Sequence, residues 1–428
     1  MEKRKKKKNK IHQYLSDLIK YIRKSIKEWF KNTNEKFKNK IEKTSYVLDF
    51  YKNYFITKLK RKRGFLLIPP TELDGSFGDE LMVVSFVNNF KNESITLYEP
   101  KIIVREDLFK DYKNVSYLKW GESLKNKSFL NGIFILGADN MTPNYGYEDQ
   151  FFKCNVLKIG NFLNIKTGIL AFSLNKSIFN SPHVKWFNDL LPKTFFTLRE
   201  EDSFLIAKKI LPEDNLLSVA DLAFLCPYNK NSDNDYQTWV NKQKKDQKTI
   251  VGFCPNSIQA KKIGIEEYKR KMLLALNNMI ENYNISIALF YHDIRYEVND
   301  KTLSNDLFCE LKLNNKNVFY KDDIKNGLEL KSYLEFVDFT FTGRMHFGIS
   351  GYSLGKPMLG VSYEDKFSGL QKLFSIDIES SLVDYTDLKN TDTIIALFLN
   401  KLPEFNKNVK ENLPKVLELS AKSLEFIK

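Results

Sequence analysis

An arginine and a histidine two residues apart, where a strand gives way to a helix, form the strongest chemical signal in this chain. They lie in the segment FTFTGRMHFGISGYSLGKPMLGVSYEDKFSGL, which runs from Phe339 to Leu370. A buried strand ends at Gly343, and Arg344 and His346 open a helix that runs to about Leu354. Gly355 stops that helix, and Pro357 leads into a strand ending in Tyr363-Glu364-Asp365-Lys366. A helix N-terminus attracts anions through its free N–H groups and its dipole. A guanidinium and an imidazole placed there add a fixed cation and a titratable acid, which predicts an anion site able to move a proton. The structural alternative is Arg344 paired with a carboxylate and His346 simply packed. It suits a lone histidine better than a chain with only four His, one of which falls at this turn.

Weaker candidates follow the same logic. His292 comes directly after the strand run Ile285–Tyr291, at the edge where sheets bind ligands; a packed histidine accounts for it equally well. Gly78 precedes Asp79 and Glu80 at a helix start, where one carboxylate caps and the other is available as a base. Lys366 lies past a strand end and adds charge to the expected cleft, or is an ordinary surface lysine. Ser203 either bonds a phosphate or caps a helix. His183 has no motif behind it, and His12 belongs to the N-terminal segment.

These residues need elements that bring them together. From Gly64 onward, apolar strand runs alternate with helical stretches. The strands are Phe65–Ile68, Ile95–Tyr98, Ile102–Val104, Gly132–Leu136, Ile169–Leu174, Phe195–Leu198 and Leu216–Ala220, with a helix over Leu81–Phe90. The polar stretch from Asn229 to Lys248 reads as a linker. The pattern then restarts with Thr249–Cys254, a helix through Tyr268–Asn282, and the strands Ile285–Tyr291, Val318–Tyr320, Phe339–Phe341 and Pro357–Val361. This alternation predicts an α/β chain with two Rossmann-like domains, residues 64–228 and 249–428, joined by the linker 229–248 and facing each other across a cleft.

Residues 1–63 differ. They hold 22 Lys/Arg against 6 Asp/Glu, a net charge of +16, whereas the remaining residues hold 45 against 47, a net of −2. After the run Lys3-Arg4-Lys5-Lys6-Lys7-Lys8, Ile11, Tyr14, Leu15, Leu18, Ile19, Ile22, Ile26, Trp29 and Phe30 form one helical stripe backed by lysines. This predicts a basic amphipathic helix on an anionic membrane surface; packing on protein is the other reading. Nucleic acid ranks last, because the folded body carries no basic excess. No apolar stretch reaches transmembrane length. The four cysteines, Cys154, Cys226, Cys254 and Cys309, match no zinc spacing or secreted disulfide pattern, so a reducing cytosol is expected and no metal.

The segment that carries Arg344 resembles the C-terminal signature of the polysaccharide pyruvyl transferase family: Arg344-Met345-His346, Gly355-Lys356-Pro357 and Tyr363-Glu364-Asp365-Lys366. Shorter pieces fall in the family's order. Gly75-Ser76-Phe77-Gly78-Asp79-Glu80 resembles its Gly-rich loop. Arg199-Glu200-Glu201-Asp202-Ser203 resembles its Arg-x-x-x-Ser element, and Asp221-Leu222-Ala223-Phe224 its Asp-x-Ala-Phe. Where the family commonly has three glycines, this chain has Gly137-Ala138-Asp139-Asn140.

The resemblance implies a fold similar to the GT-B glycosyltransferases and a pyruvyl transfer from phosphoenolpyruvate to sugar hydroxyls, forming a pyruvate ketal in surface polysaccharide synthesis. Arg344 and Arg199 would hold the donor's carboxylate and phosphate, and His346 would serve as general acid. Gly78, Asp79, Ser203, His292 and Lys366 would bind substrate. The donor is a substrate, so no cofactor is expected. The basic leader favours a lipid-linked saccharide acceptor and a place on the inner face of the cytoplasmic membrane. Two alternatives stand: a GT-B glycosyltransferase using a nucleotide-sugar donor, and a non-catalytic membrane-bound member of the fold.

Overall fold

Phe65-Leu66-Leu67-Ile68 is apolar at every position, the pattern of a strand covered on both faces, and it forms β1 (Phe65–Ile68), buried throughout. The computed structural model describes residues 64–427 apart from 72–74, 100–105, 120–130, 140, 144–146, 163, 296–298, 315–316, 363–365 and 387–389. All of these belong to one unit, Thr57–Lys428. The leader over 1–63 and the strand expected over 102–104 lie outside the described residues.

The first sheet comprises β1, β2 (Ile95–Glu99), β3 (Val115–Lys119), β4 (Gly132–Leu136), β5 (Lys166–Phe172), β6 (Thr194–Leu198) and β7 (Leu216–Ser218), in the order β3-β2-β1-β4-β5-β6-β7. The second comprises β8 (Thr249–Cys254), β9 (Ile285–Leu289), β10 (Val318–Tyr320), β11 (Phe339–Thr342), β12 (Met358–Ser362) and β13 (Leu382–Asp384), in the order β10-β9-β8-β11-β12-β13. Every pairing is parallel. Parallel neighbours need crossover connections, and helices supply them. In each sheet the order in which strands are added reverses once, between β1 and β4 and between β8 and β11. Such switch points open a crevice at the strands' carboxyl ends.

Three differences from the sequence reading have physical causes. The first helix starts at Phe77, not Leu81, because Asp79 and Glu80 suit a first turn as well as a loop. Strands β3 and β13 are short edge strands of mixed polarity and carry little periodic signal. Residues 229–248 contain the helix Asn234–Lys245. Asp233 caps it by accepting from the Tyr236 N–H at 2.9 Å, and Tyr236 and Val240 are buried.

The long helix Thr391–Glu425 begins over the second sheet, where Phe398 packs on Phe339 of β11 with ring centroids 5.0 Å apart. Just past its end, Phe426 packs on Phe195 of β6 at 4.7 Å and Phe134 of β4 at 6.4 Å. One helix thus ties both sheets together. Among the described residues, no helix is long and apolar enough to cross a membrane.

Candidate active site

The strand ends at both switch points converge on one set of side chains. β11 ends at Thr342, and Arg344 takes the N-cap of the helix Met345–Ser353 without any side-chain cap. The N–H groups of Phe347 and Gly348 bond the Arg344 carbonyl. The helix therefore opens with the donors of Met345 and His346 uncapped by a side chain, the condition for an anion site.

Arg344 is held from two sides. Its Nε and Nη2 donate to the two oxygens of Asp300 at 2.7 Å each, and Nη2 also reaches the Ser257 hydroxyl at 3.2 Å. Its Nη1 stands 3.6 Å from Asp293. Asp293 in turn takes a fork from Arg295, at 3.0 Å from Nε and 2.8 Å from Nη2. Arg295 reaches across to the Thr71 hydroxyl at 3.0 Å and stands 4.0 Å from Asp79, whose carboxylate accepts from Thr71. Burial raises the Asp300 carboxyl above its ordinary range despite the guanidinium. For Asp293 burial also pushes upward, but Arg295 and Arg344 outweigh it and hold the carboxyl low.

His346 belongs to a second chain of charges. Its Nε2 lies 3.4 Å from Asp221 Oδ2, an ion-pair distance that falls short of a formed hydrogen bond. The same oxygen accepts from Arg199 Nη1 at 2.7 Å, and Oδ1 caps the next turn through the Ala223 N–H at 2.8 Å. Arg199 also donates through Nε to the Ser173 hydroxyl at 2.7 Å and to Glu200 at 2.8 Å. Burial alone would raise the Asp221 carboxyl, but His346, Arg199 and the Ala223 N–H hold it well below the usual range, so it stays ionised. Burial works against the Arg199 charge, and Glu200, Asp221 and Asp139 more than restore it.

Gly78 explains how His346 is accommodated. A Cβ on Gly78 would come within 2.4 Å of the imidazole Nδ1, so only glycine lets the two segments close. The loop before it carries Gly75 at φ 124, a conformation that favours glycine. Ser76 pairs with Asp293 in an isolated antiparallel bridge, the Phe77 N–H bonds the His292 carbonyl at 3.2 Å, and the Ile294 N–H bonds the Gly75 carbonyl at 3.1 Å. Glu80 adds a bond to the Gly327 N–H at 2.9 Å. The Gly-rich loop of the first sheet is thereby fastened to the strand ends of the second.

Of the sequence candidates, the structure brings together Arg344, His346, Gly78, Asp79 and His292. His292 is buried, its ring parallel to that of His346 at 6.3 Å. Burial, with His346 and Arg344 nearby, keeps it neutral. Arg199 joins through Asp221. The Ser203 hydroxyl is engaged with Leu174 and Glu200, at 2.9–3.1 Å, so it holds the loop after β5. Lys366 opens the helix Lys366–Leu373. His183 is a packed core histidine, bonded to Ser181 and Gln150 and 4.8 Å from the Trp186 ring. Sequence reasoning missed the partners Asp293, Arg295 and Asp300; Asp221 stood in a motif but had no role assigned.

Similarities to known proteins agree with this geometry. In fold, the chain is similar to UDP-GlcNAc 2-epimerase from Neisseria meningitidis bound to UDP-GlcNAc (TM-score 0.55, 12% identity, covering 86% of this chain and 99% of that one). It is similar to Anabaena HepE in complex with UDP-glucose (0.54, 11%, 86% and 99%) and to S. aureus MnaA with UDP (0.56, 8%, 82% and 91%). At such identities the likeness is one of fold, GT-B-like with two Rossmann-like halves. None of the curated proteins matches. The family profile "Polysaccharide pyruvyl transferase" matches residues 77–365, a span that opens at the Gly-rich loop and takes in Asp221, Arg344 and His346. The chain is a transferase of the polysaccharide pyruvyl transferase family.

Proposed function

We propose that this transferase takes phosphoenolpyruvate as donor and closes a pyruvate ketal across two hydroxyls of a saccharide. The observation that carries the reading is the Arg199–Asp221–His346 chain, which ends on an imidazole at an uncapped helix N-terminus. An enolpyruvyl group becomes electrophilic at C2 once C3 is protonated. With Nε2 turned to an ionised Asp221, Nδ1 is the nitrogen that gives that proton. Arg199 acts through Asp221, as a positioning residue. The donor's anionic groups would meet Arg344 Nη1, which lies outside the fork on Asp300 and 3.6 Å from Asp293, and the N–H groups that open the Met345–Ser353 helix.

The protons balance. His346 protonates C3, a first hydroxyl attacks C2 and its proton returns to the imidazole. The C2–O bond to phosphate breaks, and a second hydroxyl closes the ring as its proton leaves with inorganic phosphate. His346 ends as it began. We also propose that the basic leader holds the enzyme on an anionic membrane, beside a lipid-linked acceptor. Its stripe of apolar residues backed by lysines supports this.

Calorimetry on the full chain tests the donor. Phosphoenolpyruvate should bind saturably, the Arg344→Ala variant should lose that binding, and His346→Ala should keep it while losing turnover. Binding of UDP-sugars with none of phosphoenolpyruvate would instead make this a glycosyltransferase. Vesicle flotation tests the leader: binding to phosphatidylglycerol vesicles should fall with rising salt and be absent on neutral ones.

A further inference from the structure

A cavity of about 1170 Å³, lined by none of Arg199, Asp221, Arg344 or His346, lies between the two sheet-bearing halves. Residues 110–114 and Lys91 line it from the first half. Residues 229–233 and the segment around the Gly327–Tyr333 helix line it from the second. Its volume exceeds the roughly 300–1,000 Å³ of pockets for single small ligands, so it suits an extended one.

The lining is basic where the body is not. Residues 64–428 carry a net charge of −2, yet six lysines face this cavity against three carboxylates. Asp233 already accepts from Lys321 at 2.9 Å and from the Tyr333 hydroxyl at 2.8 Å. Glu329 accepts from the Lys325 N–H at 2.7 Å. Lys91, Lys110, Lys113 and Lys230 form no ion pair with any described residue. Four cations from three separate segments thus face one concavity, which a flat bilayer cannot enter.

One wall of the cavity is bonded to the helix that carries Gly78. Asn326, on its wall, caps the Gly327–Tyr333 helix through the Glu329 N–H at 3.0 Å. The next residue, Gly327, is bonded to Glu80, two positions from the Gly78 that abuts His346. Each ketal formed adds one carboxylate to a saccharide, so a multiply modified saccharide is a polyanion.

We propose that this cavity is a second binding site, for a carboxylate-bearing stretch of the saccharide, which holds units already carrying pyruvate while the next is presented to His346. This rests on the saccharide acceptor of the reading above. Hydrogen exchange on the full chain tests it, with oligogalacturonate as the acidic probe, maltoheptaose as the neutral one and inorganic pyrophosphate as the phosphate one. Oligogalacturonate should protect residues 108–114 and 229–233, and maltoheptaose should not.

In the Lys110→Gln/Lys113→Gln/Lys230→Gln variant that protection should vanish and affinity should fall roughly tenfold or more, as expected for lost charge contacts to a polyanion. Phosphoenolpyruvate binding should be unchanged. The leader is common to both proteins, so its own binding cancels. Absent protection, equal protection by maltoheptaose, or protection by pyrophosphate alone would each overturn the proposal. Phosphoenolpyruvate binding, measured on the same samples, separates its failure from failure of the donor reading.

Discussion

Asp221 touches three groups at once: the His346 imidazole, the Arg199 guanidinium and the Ala223 N–H. Replacing it by Asn keeps the shape and removes the charge that orients the ring. Turnover of Asp221→Asn should fall about 10²–10⁴-fold, the range for a positioned acid, with phosphoenolpyruvate binding retained. Stability should fall by roughly 3 kcal/mol, because a buried guanidinium loses a partner. Phosphate release and urea titration read the two effects. Gly78→Ala isolates geometry from charge: its methyl must displace the imidazole. We expect a loss of about 10²-fold in kcat together with a loss of roughly 1–3 kcal/mol in stability, since the His346 Cβ cannot rotate out of the way. Unchanged turnover and melting temperature would contradict that. Arg344 and His346 were legible because they are near neighbours in the chain. Their carboxylate partners were not, because Asp221, Asp293 and Asp300 arrive from three other segments and, in isolation, look like ordinary caps or loop acids.

At the scale of elements, short apolar runs bounded by polar stretches announced themselves as strands, the edge strand β10 included. Gly132–Leu136, Thr249–Cys254 and Val318–Tyr320 form β4, β8 and β10 with the expected bounds. The helix Asn234–Lys245 did not, since its apolar positions are few among lysines and amides and only Tyr236, Val240 and their neighbours touch the core. That small face has weight. Tyr236 is fully buried, donates to the Tyr333 carbonyl at 3.1 Å and packs 4.9 Å from Phe319. Tyr236→Ala should cost about 3–5 kcal/mol, as for other large core truncations, whereas a linker residue would cost almost nothing. Chemical denaturation distinguishes the two outcomes. A register shift between Ile169 and Phe172 places Ala171 at φ 48, beside the turn that aims Ser173 at Arg199. No sequence pattern signals such a left-handed alanine.

For the whole molecule, acid should be a stronger stress than base. Burial pushes the His183 imidazole down to about 4 and holds His292 low as well, so both are neutral when folded. The unfolded chain takes up these protons below about pH 6.5. The stability they confer is therefore complete above that pH and is lost as pH falls toward 4, by at most ~1.4 kcal/mol per pH unit for each histidine. Thermal melts from pH 8 to pH 4 should show this decline, and His183→Gln should flatten it, at the cost of a lower melting temperature at pH 8 from the lost packing on Trp186. The fold was legible at this scale as two Rossmann-like halves, but the return of the last helix to the first sheet was not, because nothing in Phe426 names Phe195 as its partner. That return has a consequence for how the protein is born. A ribosome delivers the first sheet early, yet the aromatic cover of β4 and β6 follows only after the whole second sheet. The Ser420 hydroxyl that holds the Asp221 carbonyl at 2.7 Å emerges only shortly before it. A nascent chain that has not yet released this helix lacks the brace behind Asp221, so the packing of the first half is completed only after the second half has been made.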